Sequence, residues 1–170
     1  MTDENRDKLS SINNSISNSS YAILQKQQWD MYSRDLANCG ADLLNDIEHA
    51  RSDIREIRVK FTFWGTRKKL NRSNTNYDIL ARDFDLFYDS SMKFLRSIIN
   101  NNKYEEYQIL QKQDIKSLTE HCIKSLEYLG NLLSSKRNEY YHLQALNVSI
   151  LAILIALLSF TMNLISNFIR

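Results

Sequence analysis

The chain has 170 residues, enough for one compact domain with an appended segment and too few for two ordinary domains. It contains no proline and only three glycines, which excludes a fold of strands and tight hairpins and favours long helices. The formal charge is only +2, but the basic residues gather mid-chain and the apolar residues gather at the C-terminal end.

The N-terminal part of the sequence is polar and rich in Asn and Ser, and it lacks the apolar core of an export signal. We predict a flexible extension over residues 1–16. The two cysteines, Cys39 and Cys122, are far apart and show no CxxC or Cys/His ligand spacing. They are predicted to be reduced and buried in helices of a cytoplasmic body, with no metal and no cofactor.

The first long helix is predicted over about residues 17–61, with a bend or break near Gly40. Its apolar positions follow a helical period: Tyr32, Leu36, Cys39, Leu43, Ile47, Ala50, Ile54, Ile57 and Phe61. A second helix is predicted over about residues 77–100, with Asn74 or Thr75 as its cap. Residues 100–102 are predicted to form a turn.

A third helix is predicted over about residues 103–130. A last helix is predicted to begin near Asn131, and it either ends before the C-terminal segment or continues into it without a break. The apolar residues of these helices can pack together in one shared core, so the sequence predicts an all-α bundle. The inward residues are Leu80, Phe84, Phe87, Leu95, Ile98, Tyr107, Leu118, Cys122, Leu126 and Leu129.

Residues 51–72 form a basic stretch with eight Lys or Arg against two acidic residues, and aromatic residues are interleaved. Such a loop can bind nucleic acid by phosphate contact and stacking, or rest on anionic lipid headgroups. It can equally be a solvated connector whose aromatic residues dock on the bundle. The candidate contact residues are Arg58, Lys60, Trp64, Arg67, Lys68, Lys69 and Arg72.

The C-terminal segment has no formally charged residue from Tyr140 to Ile169. Within it, residues 148–165 are dominated by Ile, Leu, Ala, Val and Phe, and as a helix they extend roughly 27 Å, close to the thickness of a bilayer core. Buried core helices and interfacial helices of this length usually carry a charged face. We therefore predict a single membrane-spanning helix, and the lack of an export signal favours a body on the cytoplasmic side.

Small and polar residues recur at three- and four-residue spacing along this helix, and they form the small-residue stripe: Ala145, Ser149, Ala152, Ala156, Ser159, Asn163, Ser166 and Arg170. Small residues let helix backbones approach closely. The stripe favours either a seam between copies of the chain or the polar wall of a water-filled pore, with chance patterning as the alternative.

One motif stands out just before the span. Arg137 is followed by Asn138, and His142 lies five positions after the Arg. This resembles the HEPN signature of Arg, a polar residue, a few arbitrary residues and His. A simpler interpretation is a snorkelling Arg and an interfacial His beside Tyr140 and Tyr141.

An all-α body with this motif on a late helix, joined to a membrane segment, resembles the divergent HEPN accessory membrane proteins of type VI-B CRISPR systems. The resemblance implies a HEPN-like bundle over residues 17–142 and a transmembrane helix with a short tail over residues 143–170. It also implies a homo-oligomeric ring, of about eight copies, that depolarises the bacterial inner membrane and strengthens defence by an RNA-guided nuclease.

The motif residues are then not expected to be catalytic, because His142 lies at the membrane boundary. The alternative is a membrane-tethered, metal-independent HEPN ribonuclease in which Arg137 and His142 act on the ribose hydroxyl and the scissile phosphate of bound RNA. A third possibility is an adaptor that recruits a cytosolic partner to the membrane.

Overall fold

The computed structural model describes residues 1–16, 23–59, 63–99 and 104–168, without the side chains of residues 63, 64 and 166–168. Its helices are α1 (Asp3–Ser15), α2 (Lys26–Arg55), α3 (Phe63–Arg96) and α4 (Glu105–Phe168). Two short strands, β1 (Ile23–Leu24) and β2 (Ile98–Ile99), pair in parallel; β1 precedes α2 and β2 follows α3. The prediction of a helical bundle with one long apolar C-terminal helix is confirmed. The HEPN-like character of the bundle stays a prediction.

The N-terminal residues, predicted to be a flexible extension, instead form α1. The Thr2 hydroxyl accepts a hydrogen bond from the Asn5 amide at 3.3 Å, which caps the helix. Leu9 and Ile12 are buried against α2 and α3, as is Ile16, which follows the helix. The prediction failed because only these few apolar residues, at helical spacing, interrupt a polar stretch.

Helix α2 is shorter than the predicted first helix and is not broken at Gly40. Residues 23–24 form β1, and the remainder of the predicted start, residues 17–22, lies outside the described residues. The side chain and backbone of Gln25 exchange hydrogen bonds with Gln28 and form a capping box that begins the helix.

Helix α3 begins fourteen residues earlier than the predicted Tyr77, at Phe63, so most of the predicted basic loop is helical. Asn74 and Thr75 are therefore interior positions and do not cap the helix; the Thr75 hydroxyl donates to the Asn71 carbonyl at 3.2 Å. The predicted turn at residues 100–102 lies outside the described residues.

Helix α4 is continuous over 64 residues and passes through Gly130, where the sequence predicted a division into two helices. Gly130 serves close packing instead, since a Cβ there would lie 3.0 Å from the Tyr77 hydroxyl. The core lies among all four helices, with Trp29 and Phe94 in contact at 4.4 Å between ring centroids. It ends at Tyr140, the last buried apolar residue of α4, and the helix runs on beyond the bundle.

The end of the long helix and the clefts at its base

The last part of α4 protrudes from the bundle with large apolar side chains over most of its circumference, and the small-residue stripe occupies the remaining face. Every described side chain from Val148 to Ile165 is exposed, including Leu151 at 59 %, Leu154 at 52 % and Leu158 at 65 %. These three positions share one face of the helix. Ile150, Ile153 and Ile155, which are also exposed, extend the apolar surface to both sides of that face, because each residue turns by about 100°. An exposed helix with so wide an apolar surface is stable only where something apolar covers it.

Among the described residues, one helix is long and apolar enough to cross a membrane. Its most apolar 18-residue window has a mean hydropathy of 2.4, and none of that window is buried in the protein. A core helix of a soluble protein would be mostly buried, and this segment follows the folded body rather than preceding it. Length, composition and exposure therefore agree with a span.

The small-residue stripe lies on one continuous face, because α4 is unbroken from Ala145 to Ser166. Ala145 follows the buried Tyr140 by five residues, which turns the stripe about 140° away from the bundle. The Ser149 hydroxyl donates to the Ala145 carbonyl at 3.0 Å. Asn163 makes no hydrogen bond within the described part of the chain. Of Ser166 only the backbone is described, and Arg170 lies outside the described residues.

The structure places Arg137 and His142 of the motif in two different clefts. Five residues along an α-helix turn about 140° beyond one full turn, so the two side chains leave the helix on different sides. Arg137 faces α3, where its Nη2 donates to Asn74 Oδ1 at 2.7 Å. His142 faces Val59 across a shallow apolar cleft, and Asn138 is exposed on the side of the stripe. The single chain therefore does not assemble an Arg/His site.

The cleft of Arg137, called the Arg137 cleft below, has a volume of about 240 Å³ and lies between the start of α3 and the turns of α4 that precede the span. Its lining consists of Arg67, Leu70, Asn71, Arg137, Tyr140, Tyr141 and Gln144. Leu70, Asn71 and Gln144 were not predicted as site residues from the sequence. Arg67 and Asn71 are four residues apart, as are Tyr140 and Gln144. This spacing places each pair on one helix face and could have indicated that the two residues of a pair line the same cleft.

The basic stretch does not form one surface in the structure. Arg67 lines the Arg137 cleft, whereas Lys69 and Arg72 line another cleft together with Asp53 and Glu56. Lys68 and Arg58 are exposed to solvent between and beside these clefts. Lys60 lies outside the described residues, and of Trp64 only the backbone is described. The helical course of α3 separates basic residues that are neighbours in the sequence.

The two remaining arginines of the stretch, Arg51 and Arg55, both contact Tyr128 and so connect α2 to α4. The Arg51 guanidinium lies 4.4 Å from the centre of the Tyr128 ring and pairs with Glu48 at 2.8 Å. Arg55 Nη2 donates to the Tyr128 hydroxyl at 3.3 Å. These two cations lower the pKa of Tyr128, the bond from Arg55 being the larger cause.

Comparison with known proteins adds no relative. No protein-family model, no curated protein and no solved structure matches the chain. The proposed function therefore depends on the geometry of α4 and of the clefts at its base.

Proposed function

We propose that the chain is a single-pass membrane protein whose C-terminal helix packs against other copies of itself and lines a conduit. The observation that carries the proposal is the exposed, uncharged segment 148–165 of α4, none of which is buried against the bundle. Lipid can cover all faces of such a helix at once, whereas a partner protein on one face would leave the others in water. The bundle then lies on one side of the bilayer, and we place it in the cytoplasm of a bacterial cell.

Self-association is supported by what lies on the small-residue stripe. The amide of Asn163 has no hydrogen-bond partner among the described residues, and an unpaired amide is costly inside a bilayer. The same amide on a neighbouring copy can supply both a donor and an acceptor. Ala152 and Ala156, one turn apart on the stripe, allow the two backbones to approach closely.

The direction of the stripe also suits an assembly of several copies. It faces about 140° away from the bundle, so helices can meet along it while the bundles stay on the outside. The same face continues above the membrane with exposed polar residues, Asn138 and Asn131. A ring of α4 helices would thus have a polar vestibule and a narrow span lined by Ser149, Ser159 and Asn163.

The biological role that we propose for this conduit is depolarisation of the membrane in support of an RNA-guided nuclease. That part of the proposal rests on the resemblance of residues 137–142 to the HEPN signature. The nuclease alternative receives less support, because Arg137 and His142 line separate clefts. It requires metal-independent RNA cleavage by the purified protein and its loss in His142→Ala.

The assembly can be tested by disulfide cross-linking in membranes, with the full chain. Ala152→Cys and Ala156→Cys lie on the stripe, and Leu154→Cys, on the opposite side of the helix, is the matched control. The native Cys39 and Cys122 are buried and add no background. We expect mild oxidation to give cross-linked copies from the two stripe positions and few from position 154. Equal cross-linking at all three positions, or none, would contradict the proposed seam.

Conduction is tested separately with a voltage-sensitive dye in bacteria that express the chain alone or with an activated RNA-guided nuclease. We expect depolarisation with the native chain and none when residues 148–165 are replaced by an unrelated monomeric transmembrane helix. Depolarisation that persists after the replacement would show that α4 does not line the conduit. An absence of depolarisation with the native chain in both settings would leave a membrane protein without channel function.

A further inference from the structure

The Arg137 cleft lies where α3 begins and where α4 leaves the bundle. Its lining includes two arginines, Arg67 and Arg137, together with two tyrosines and the amide residues Asn71 and Gln144. None of the described residues that line it carries a carboxylate. Tyr140 is buried and Tyr141 is 62 % exposed, so the cleft has a closed side and an open side.

Its positive charge is not compensated within the described part of the chain. Arg67 makes no ion pair there, and the one hydrogen bond of Arg137 goes to the uncharged amide oxygen of Asn74. Glu139, the acidic residue nearest to Arg137 along α4, faces the His142 cleft and pairs with Lys136 at 3.0 Å. The positive end of the α3 dipole, at Phe63, is one turn from Arg67. Two guanidinium groups in this setting favour a phosphate, which they can bind in bidentate fashion.

The position of the cleft along α4, relative to the bilayer, determines which phosphates it can bind. Gln144 and Arg137 precede Val148 by four and eleven residues, which is roughly 6 and 16 Å along the helix axis. The headgroup layer extends about 5–8 Å beyond the hydrocarbon core on each side of a bilayer. The end of the cleft near Gln144 is therefore level with lipid phosphates, and long arginine side chains reach towards that layer.

We infer that the Arg137 cleft binds the phosphate of an anionic phospholipid and fixes the height and tilt of α4 at the membrane surface. The inference rests on the proposed membrane placement of residues 148–165. A phosphate of RNA has the same chemistry, but an RNA strand would have to enter the headgroup layer to reach the cleft. Tyr141, exposed beside it, has the amphipathic ring that is typical of the interface.

The test is native mass spectrometry of the full chain, extracted in detergent and titrated with phosphatidylglycerol or with phosphatidylcholine. The double variant Arg67→Gln/Arg137→Gln removes both guanidinium groups. Lys68→Gln is the matched control, because Lys68 neighbours Arg67 but does not line the cleft. We expect the native chain to retain phosphatidylglycerol in preference to phosphatidylcholine. The double variant should retain phosphatidylglycerol about tenfold more weakly, and Lys68→Gln should retain it as the native chain does.

Three results would overturn the inference: equal retention of both lipids, an equal loss in Lys68→Gln, or displacement of phosphatidylglycerol by a short RNA oligonucleotide at lower concentration. Displacement by inorganic phosphate at millimolar concentration would assign the cleft to a free anion instead of a lipid. Resistance of the chain to carbonate extraction from membranes is measured in parallel. A carbonate-resistant chain without lipid preference contradicts only this inference, whereas an extractable chain contradicts the membrane placement itself.

Discussion

Gly40 of α2 lies so close to Leu118 of α4 that a Cβ at position 40 would be 2.5 Å from Leu118 Cδ2. The same Cβ would be 2.9 Å from Phe87 Cζ, on α3. The Cys122 thiol also donates a weak hydrogen bond, at 3.7 Å, to the Gly40 carbonyl. Three helices therefore meet at one residue, and the closeness of their packing depends on the missing side chain.

Gly40→Ala should destabilise the bundle by about 1–3 kcal/mol, because the fully buried Phe87 ring cannot move away as freely as the end of Leu118. Urea unfolding monitored by circular dichroism measures this change. Gly65→Ala is the control, since no described atom lies within 4 Å of a Cβ at position 65 and that residue is also helical. It should be neutral or stabilising by up to about 1 kcal/mol. Equal effects of the two substitutions would contradict close packing at Gly40.

Gln111→Ala should cost about 1–3 kcal/mol, because it leaves the indole N–H of the buried Trp29 without its acceptor. Trp29 Nε1 donates to Gln111 Oε1 at 2.7 Å, and Gln111 Nε2 donates to the Tyr107 hydroxyl at 2.7 Å. Gln113→Ala, two residues further along α4 and exposed, is the control and should change the free energy of unfolding by less than about 0.5 kcal/mol. A shift in Trp29 fluorescence on substitution of Gln111 alone provides an independent readout.

Arg6→Met should destabilise the fold by about 2–4 kcal/mol, because the buried Asp83 carboxylate loses the guanidinium that binds both of its oxygens and keeps only the N-terminal ammonium, 3.7 Å from Oδ2. The two bonds, from Nε and Nη2, are each 2.8 Å long and hold α1 against α3. The double variant Arg6→Met/Asp83→Leu should recover most of this loss, since the buried carboxylate is removed and the N-terminal ammonium still pairs with Asp46. If the single variant unfolds at the same urea concentration as the native chain, α1 is not held by this pair.

Both thiols should react very slowly with Ellman's reagent in the native state. Burial raises the pKa of Cys39 to about 11 and that of Cys122 to about 12, from the ordinary value of 9.0. The fold therefore favours the protonated thiols, and their contribution to stability falls as the pH rises from 9 towards 11. The rate at pH 8, with and without urea, is the measurement. Rapid reaction of either thiol without urea would contradict its burial.

A chain that ends after Asn147 should fold as the full chain does and remain in solution without detergent. Residues 148–165 are not buried against the bundle, so their removal takes away no core contact. The thermal unfolding midpoint should change by less than about 2 °C relative to the full chain in detergent. Aggregation or loss of the cooperative transition would show that the segment contributes to the folded body.

The all-helical class and the apolar C-terminal helix followed from the sequence alone. Both depend on local properties: the absence of proline, the scarcity of glycine, and a run of uncharged residues from Val148 to Ile165. The helical period likewise placed Leu36, Cys39, Leu43 and Ile47 in the core, where the structure has them. Such signals need no knowledge of what packs against them.

The tertiary structure decided which residues share a surface and where the helices begin and end. Asp3–Ser15 became helix α1 because α2 and α3 offer a surface for Leu9 and Ile12. The basic residues at 67 and 72 were separated by the helical course of α3. It also separated Arg137 from His142 and joined Arg137 to Arg67, seventy residues away in the chain. Contacts of this kind depend on the packing of distant segments, which a local pattern does not encode.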